Sequence, residues 1–120
     1  MLNESNEVCN EDCTMKNTGK LAVIGDYTMK EGIVNIHPND GFDIGLMTTN
    51  YPAYIYADVP LADFQAGNGD RINGTICLKN ECKMGTVEIN LRFWERMGKP
   101  KEVQLYYDDS KLLFAVPEST

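Results

Sequence analysis

Between Gly69 and Leu78 the chain reads Gly-Asp-Arg-Ile-Asn-Gly-Thr-Ile-Cys-Leu. Ile72, Gly74, Ile76 and Leu78 fall on one parity; Arg71, Asn73, Thr75 and Cys77 fall on the other. A period of two sends one set into a core and the other toward solvent. The same alternation recurs through most of the chain from Leu21 to Val116, which predicts a small all-β protein built as a closed or nearly closed barrel.

Punctuation divides the alternation into strands. Leu21 to Ile36 reads as one long strand that bends or bulges at Gly25-Asp26 or Gly32. Pro38-Asn39-Asp40-Gly41 carries the Asp-Gly hairpin signal and predicts a second strand over Phe42, Ile44 and Leu46. The third strand runs from Ala53 to Val59 and stops at Pro60. Leu61 to Ala66 is the single helical turn expected, ended by Gly67. The fourth strand is Asp70 to Leu78, and the fifth is Val87 to Trp94. Gly98-Lys99-Pro100 breaks the pattern. A final hairpin then pairs Val103, Leu105 and Tyr107 with Leu112, Phe114 and Val116 across Asp108 to Lys111. Three segments follow: a polar, acidic, flexible arm over residues 1–19, a barrel over 20–97, and a C-terminal hairpin extension and tail over 98–120.

At 120 residues the chain holds one domain, and about two-thirds of the unfolded surface of such a chain can be buried. No stretch approaches the roughly 20 apolar residues of a membrane helix. The first residues have neither a basic start nor an apolar run, so they are not a secretory signal. A chain synthesised as it stands belongs in the cytoplasm; a mature fragment given a new Met1 would belong outside it. The net charge is −7, and all of it falls within residues 1–66. That balance argues against non-specific nucleic-acid binding, which is driven by counterion release, but leaves room for a local basic patch. The four cysteines form two local pairs, Cys9/Cys13 and Cys77/Cys82. Two disulfides, a four-cysteine zinc site and four free thiols compete as readings, with zinc the weakest because neither gap is the common two residues.

The order of long bent strand, hairpin, strand, short helix, strand, strand resembles the OB-fold, a five-stranded Greek-key barrel. The residues that carry the resemblance are Glu31-Gly32-Ile33-Val34 and the run from Phe64 through Gly69-Asp70-Arg71-Ile72-Asn73-Gly74. The rhythm is similar to that of small bacterial stand-alone OB domains. The C-terminal hairpin is an addition to that plan. The resemblance implies a ligand surface on the second and third strands and the loops beside them.

Nothing points to catalysis. The single histidine, His37, has no triad partner nearby, and phosphate-loop, dinucleotide and metalloprotease motifs are absent. No catalytic residue, cofactor or metal ligand is assigned. Two stretches suit binding. Tyr54 and Tyr56 have outward parity on the third strand, with Tyr51 in the preceding turn. Such tyrosines serve as a stacking platform for single-stranded nucleic acid, or pack across strands beneath the final hairpin. In the second stretch, Arg92, Trp94 and Arg96 interleave base and aromatic, a composition shared by nucleic-acid sites and protein-interface anchors. Asp43, Asp58 and Asp63 would repel phosphate. The expectation is therefore a non-enzymatic OB-like domain that binds a protein through Tyr51, Tyr54, Tyr56, Arg92, Trp94 and Arg96. Single-stranded nucleic acid on the same face is the alternative, as is an acidic inhibitor seated in another protein's nucleic-acid groove. No membrane partner is expected, and nothing in the sequence specifies an oligomeric state.

Overall fold

A computed structural model of the chain describes residues 16–116. Cys9, Cys13 and all of the expected arm before Lys16 lie outside the described residues. Seven strands close into one barrel. They are β1 (Lys16–Asp26), β2 (Ile33–Ile36), β3 (Asn50–Ala57), β4 (Arg71–Leu78), β5 (Thr86–Asn90), β6 (Glu102–Asp108) and β7 (Lys111–Ala115). Three six-residue helices intervene: α1 (Pro38–Asp43), α2 (Leu61–Ala66) and α3 (Leu91–Arg96).

Around the barrel the order is β1-β5-β2-β4-β3-β7-β6, returning to β1. The pairs β1–β5, β2–β4 and β3–β7 are parallel. The all-β barrel and the helix between the third and fourth strands agree with the sequence reading. The expected barrel of five strands with an appended hairpin does not: among the described residues all seven strands form the barrel. The C-terminal hairpin is part of the wall, because β6 pairs with β1 and β7 with β3. Its turn is the one the sequence calls for, with Asp109 and Ser110 both at positive φ, 50° and 64°, the geometry that lets a two-residue loop follow strand twist. The boundary expected at residue 19 falls inside β1, where Lys16 and Asn17 already pair with Tyr107 and Tyr106. A register shift follows between Asn17 and Lys20. Within it, buried Thr18 accepts the Leu105 N–H at 3.1 Å on its hydroxyl, replacing a ladder bond.

One expected strand and the end of another are helices instead, each for a local reason. Pro38-Asn39-Asp40-Gly41 opens α1 rather than a hairpin. Proline is preorganised for the first helical position, and His37 Nδ1 caps the turn by accepting the Asn39 N–H at 3.0 Å. Asp40 and Gly41 have tertiary tasks. The Asp40 carboxylate accepts the Gly85 N–H at 2.8 Å, and Gly41 lies against Leu78, where a Cβ would collide. Near the other end of the chain, β5 stops at Asn90, whose side chain accepts the N–H groups of Arg92 and Phe93 at 2.9 and 3.1 Å. That N-cap turns the expected strand end into α3. Phe93 and Met97 then face the core.

The barrel interior is aliphatic, from Leu21, Val34 and Ile36 through Ile55, Ile76, Val87, Ile89, Val103, Leu105 and Leu112. Phe93 and Phe114 meet edge to face at 5.4 Å. A second, smaller cluster joins buried Tyr56, Phe64 of α2 and Leu113. Among the described residues no helix is long and apolar enough to cross a membrane.

Candidate binding surface

Strand directions bring the β1–β2 loop, the start of β4 and helix α3 to one end of the barrel. Asp26 pairs with Asn90 there, and Val34 with Ile89. Asn90 ties two of these pieces together. Besides capping α3, it donates through Nδ2 to the Met29 carbonyl at 2.6 Å, so α3 and the β1–β2 loop hold one relative position. Asp26 shapes the same loop by accepting the Thr28 hydroxyl and N–H at 2.6 and 2.8 Å. Those bonds favour its charged form and hold its carboxyl below the usual value of 3.8.

A band of side chains runs across this end. Tyr54 is 43% exposed, and the Arg71 guanidinium lies over its ring, 4.4 Å from the centroid. Arg71 Nη1 also donates to the Tyr56 hydroxyl at 3.3 Å. Two tyrosines thus fix one cation, in a stacked geometry that suits guanidinium better than ammonium. Beside Arg71 the barrel mouth opens into a cavity of ≈ 320 Å³, lined by Ile55, Ala57, Ile72 and Phe93 and rimmed by Asp70, Arg71 and Arg96. Arg96 pairs with Glu31. Beyond that pair lies a groove of ≈ 480 Å³ lined by Tyr27, Glu31, Asn90, Leu91, Arg92 and Glu95. Tyr27 is 81% exposed at its edge. On the other flank of Tyr54, a hollow of ≈ 350 Å³ runs between β3, β4 and Ser110 of the hairpin turn.

The six residues expected to bind separate into three groups. Tyr54, Arg92 and Arg96 lie on the band. Tyr56 and Trp94 support it from beneath. Tyr56 is not an exposed platform residue: it is fully buried, because α2 folds over the outer face of β3 and sets Phe64 against it at 5.2 Å. Trp94 lies on a helix, not a strand. Its indole is half-buried beside Gly25 and donates to the Pro100 carbonyl at 2.8 Å, clamping the α3–β6 connection. Tyr51 is elsewhere, at the opposite end of β3. There its hydroxyl accepts the Met47 and Thr48 N–H groups at 2.6 and 2.8 Å. Bonds from Thr48, through its side chain first and its backbone as well, and from Met47 favour the phenolate and lower the Tyr51 pKa.

Arg71, Glu31 and Tyr27 complete the band and were not among the expected residues. Arg71 had one legible signal, its outward parity on β4; its partner depends on the register that sets it opposite Tyr56. His37 is taken up by capping α1. Among the described residues no three His, Cys, Asp or Glu side chains gather as a metal-ligand set. Cys77 and Cys82 are free thiols. Cys82 is buried, lies 3.6 Å from the Asn35 carbonyl, and has its pKa raised mainly by desolvation. A buried, protonated thiol is a poor nucleophile. No protein-family model, curated protein or solved structure matches the chain.

Proposed function

We propose that this chain is a non-enzymatic binding domain that recognises a protein partner through the band from Tyr54 and Arg71 to Arg96, Arg92 and Tyr27. The observation that carries the reading is the Tyr54–Arg71–Tyr56 arrangement. Tyrosine and arginine are the residue types most often found as energetic anchors of protein interfaces. Here they are already held in place, so little side-chain entropy is lost on binding. The OB-like part of the reading rests on β3–α2–β4, a strand, a short helix and a Gly-Asp strand in the expected order.

The charge pattern favours protein over nucleic acid. Both signs of charge lie along the band: Arg96 pairs with Glu31, Asp70 lines the same cavity as Arg71, and Glu95 lines the same groove as Arg92. Such alternation gives a partner something to match in both signs, whereas a phosphate backbone rewards continuous positive charge. Burial of Tyr56 also removes the second ring of the expected stacking platform.

Capture on the immobilised full chain, from a lysate divided into untreated, nuclease-treated and high-salt portions, tests the choice. Retention of a protein that survives nuclease and high salt, and that a Tyr54→Ala bait fails to retain, supports the proposal. Release by nuclease or by salt overturns it in favour of single-stranded nucleic acid.

A further inference from the structure

The barrel mouth is more specific than the band around it. Its wall is apolar, from Ile55, Ala57, Ile72 and Phe93, and Asp70, Arg71 and Arg96 also line it, with the Arg71 guanidinium turned to the outer face over Tyr54. A volume of ≈ 320 Å³ has room for a short apolar group. The two guanidiniums differ in how they are held. Arg71 is fixed by Tyr54 and Tyr56. Arg96 has a replaceable partner: the Arg96 and Glu31 side chains are 57% and 44% exposed, and exposed ion pairs contribute little. A carboxylate arriving at the rim can take the place of Glu31 on Arg96 while Phe93, 5.9 Å from the same guanidinium, lines the apolar side. Asp70 stands on the same rim and opposes any anion, so binding depends on an incoming carboxylate reaching Arg96 itself.

We infer that the mouth binds a carboxylate carried on a short aliphatic group, as found at the free C-terminus of a partner chain that ends in leucine, isoleucine or valine. The inference rests on the reading of this surface as a protein-recognition site and names the part of the partner that enters it. The aliphatic side chain fills the space between Ile55, Ala57, Ile72 and Phe93. The terminal carboxylate takes the bidentate geometry that guanidinium offers.

The test is an NMR titration of the isotope-labelled full chain with acetyl-Gly-Gly-Leu as its free acid and as its C-terminal amide. The free acid is expected to shift Ile55, Ala57 and Ile72, and to bind at least about tenfold more tightly than the amide, as loss of a charged hydrogen-bond partner implies. Arg96→Gln should remove that preference. Glu31→Gln should tighten the acid by about threefold, because it frees Arg96 from an exposed pair; a merely structural Glu31 would not produce that gain. Equal binding of acid and amide, or no shift in the mouth at millimolar peptide, overturns the inference. Binding of free 4-methylpentanoate as tight as that of the peptide overturns the chain-end assignment. If Tyr54→Ala abolishes partner capture while the acid leaves the mouth unshifted, the inference fails and the protein-recognition proposal stands.

Discussion

Tyr54 and Tyr56 sit two residues apart on one strand, with the same parity, yet they have opposite roles. Tyr56 is sealed against Phe64 and Leu113, while Tyr54 keeps 43% of its surface and its contact with Arg71. Tyr56→Ala should therefore cost about 3–5 kcal/mol, the range for emptying a large aromatic site. Tyr54→Ala should cost no more than about 1 kcal/mol, the scale of an exposed cation–π contact. Urea unfolding of both variants checks the contrast. Asp26 supplies a pH-dependent counterpart. Its folded pKa lies below 3.8 because Thr28 donates to it twice. Its contribution is therefore fully present above 3.8 and is lost as pH falls through the lower folded value. The stability gap between wild type and Asp26→Ala should hold steady above that pH and close below it, in unfolding curves collected across the acid range. Parity alone placed both tyrosines outward, correctly. Which of them a helix would cover was not legible, because that depends on where α2 packs.

Elements were legible where alternation and turn chemistry agree. The β6–β7 hairpin is one such case: its two left-handed turn residues, Asp109 and Ser110, sit where the polar turn was read. So is α2, ended by Gly67 in the left-handed conformation. Reading went astray where one local signal serves two structures. Asp40-Gly41 fits a hairpin, but a proline and a capping histidine before it start a helix instead. The parity of Val87 to Trp94 fits a strand, but Asn90 is an N-cap, and past it the same apolar residues fall on a helix face. Asn90 is also the knot between α3 and the β1–β2 loop. Asn90→Ala should remove the cap, worth typically about 1 kcal/mol, and the bond to Met29, another 1 kcal/mol or so. The resonances of Tyr27 to Glu31 should shift together with those of α3. A variant that unfolds like wild type, or that leaves the loop unshifted, would contradict this role.

For the molecule as a whole, the sequence led to the class and to a closed or nearly closed barrel, and missed which strands complete its wall. Runs of period two establish a barrel of strands but carry no information about which distant strands pair. Three of the ladders are parallel and join segments far apart in the chain, so hairpin logic reads the C-terminal strands as an appendage. In the structure they occupy the gap between β1 and β3. Ending the chain at Gly98 should therefore expose two long strand edges and abolish cooperative unfolding by circular dichroism; a sharp transition in that fragment would show that the first five strands close without the hairpin. The candidate site follows the same division. Its basic and aromatic members were visible as composition, whereas their assembly around Arg71 depended on the β3–β4 register. The most direct test of the binding account is the affinity of the captured protein for wild type and for Tyr54→Ala, measured by calorimetry over a series of salt concentrations. The account predicts that Tyr54→Ala weakens binding by about thirtyfold or more and that wild-type affinity changes little with salt. Wild-type affinity in Tyr54→Ala, or a steep fall of affinity with salt, would contradict it.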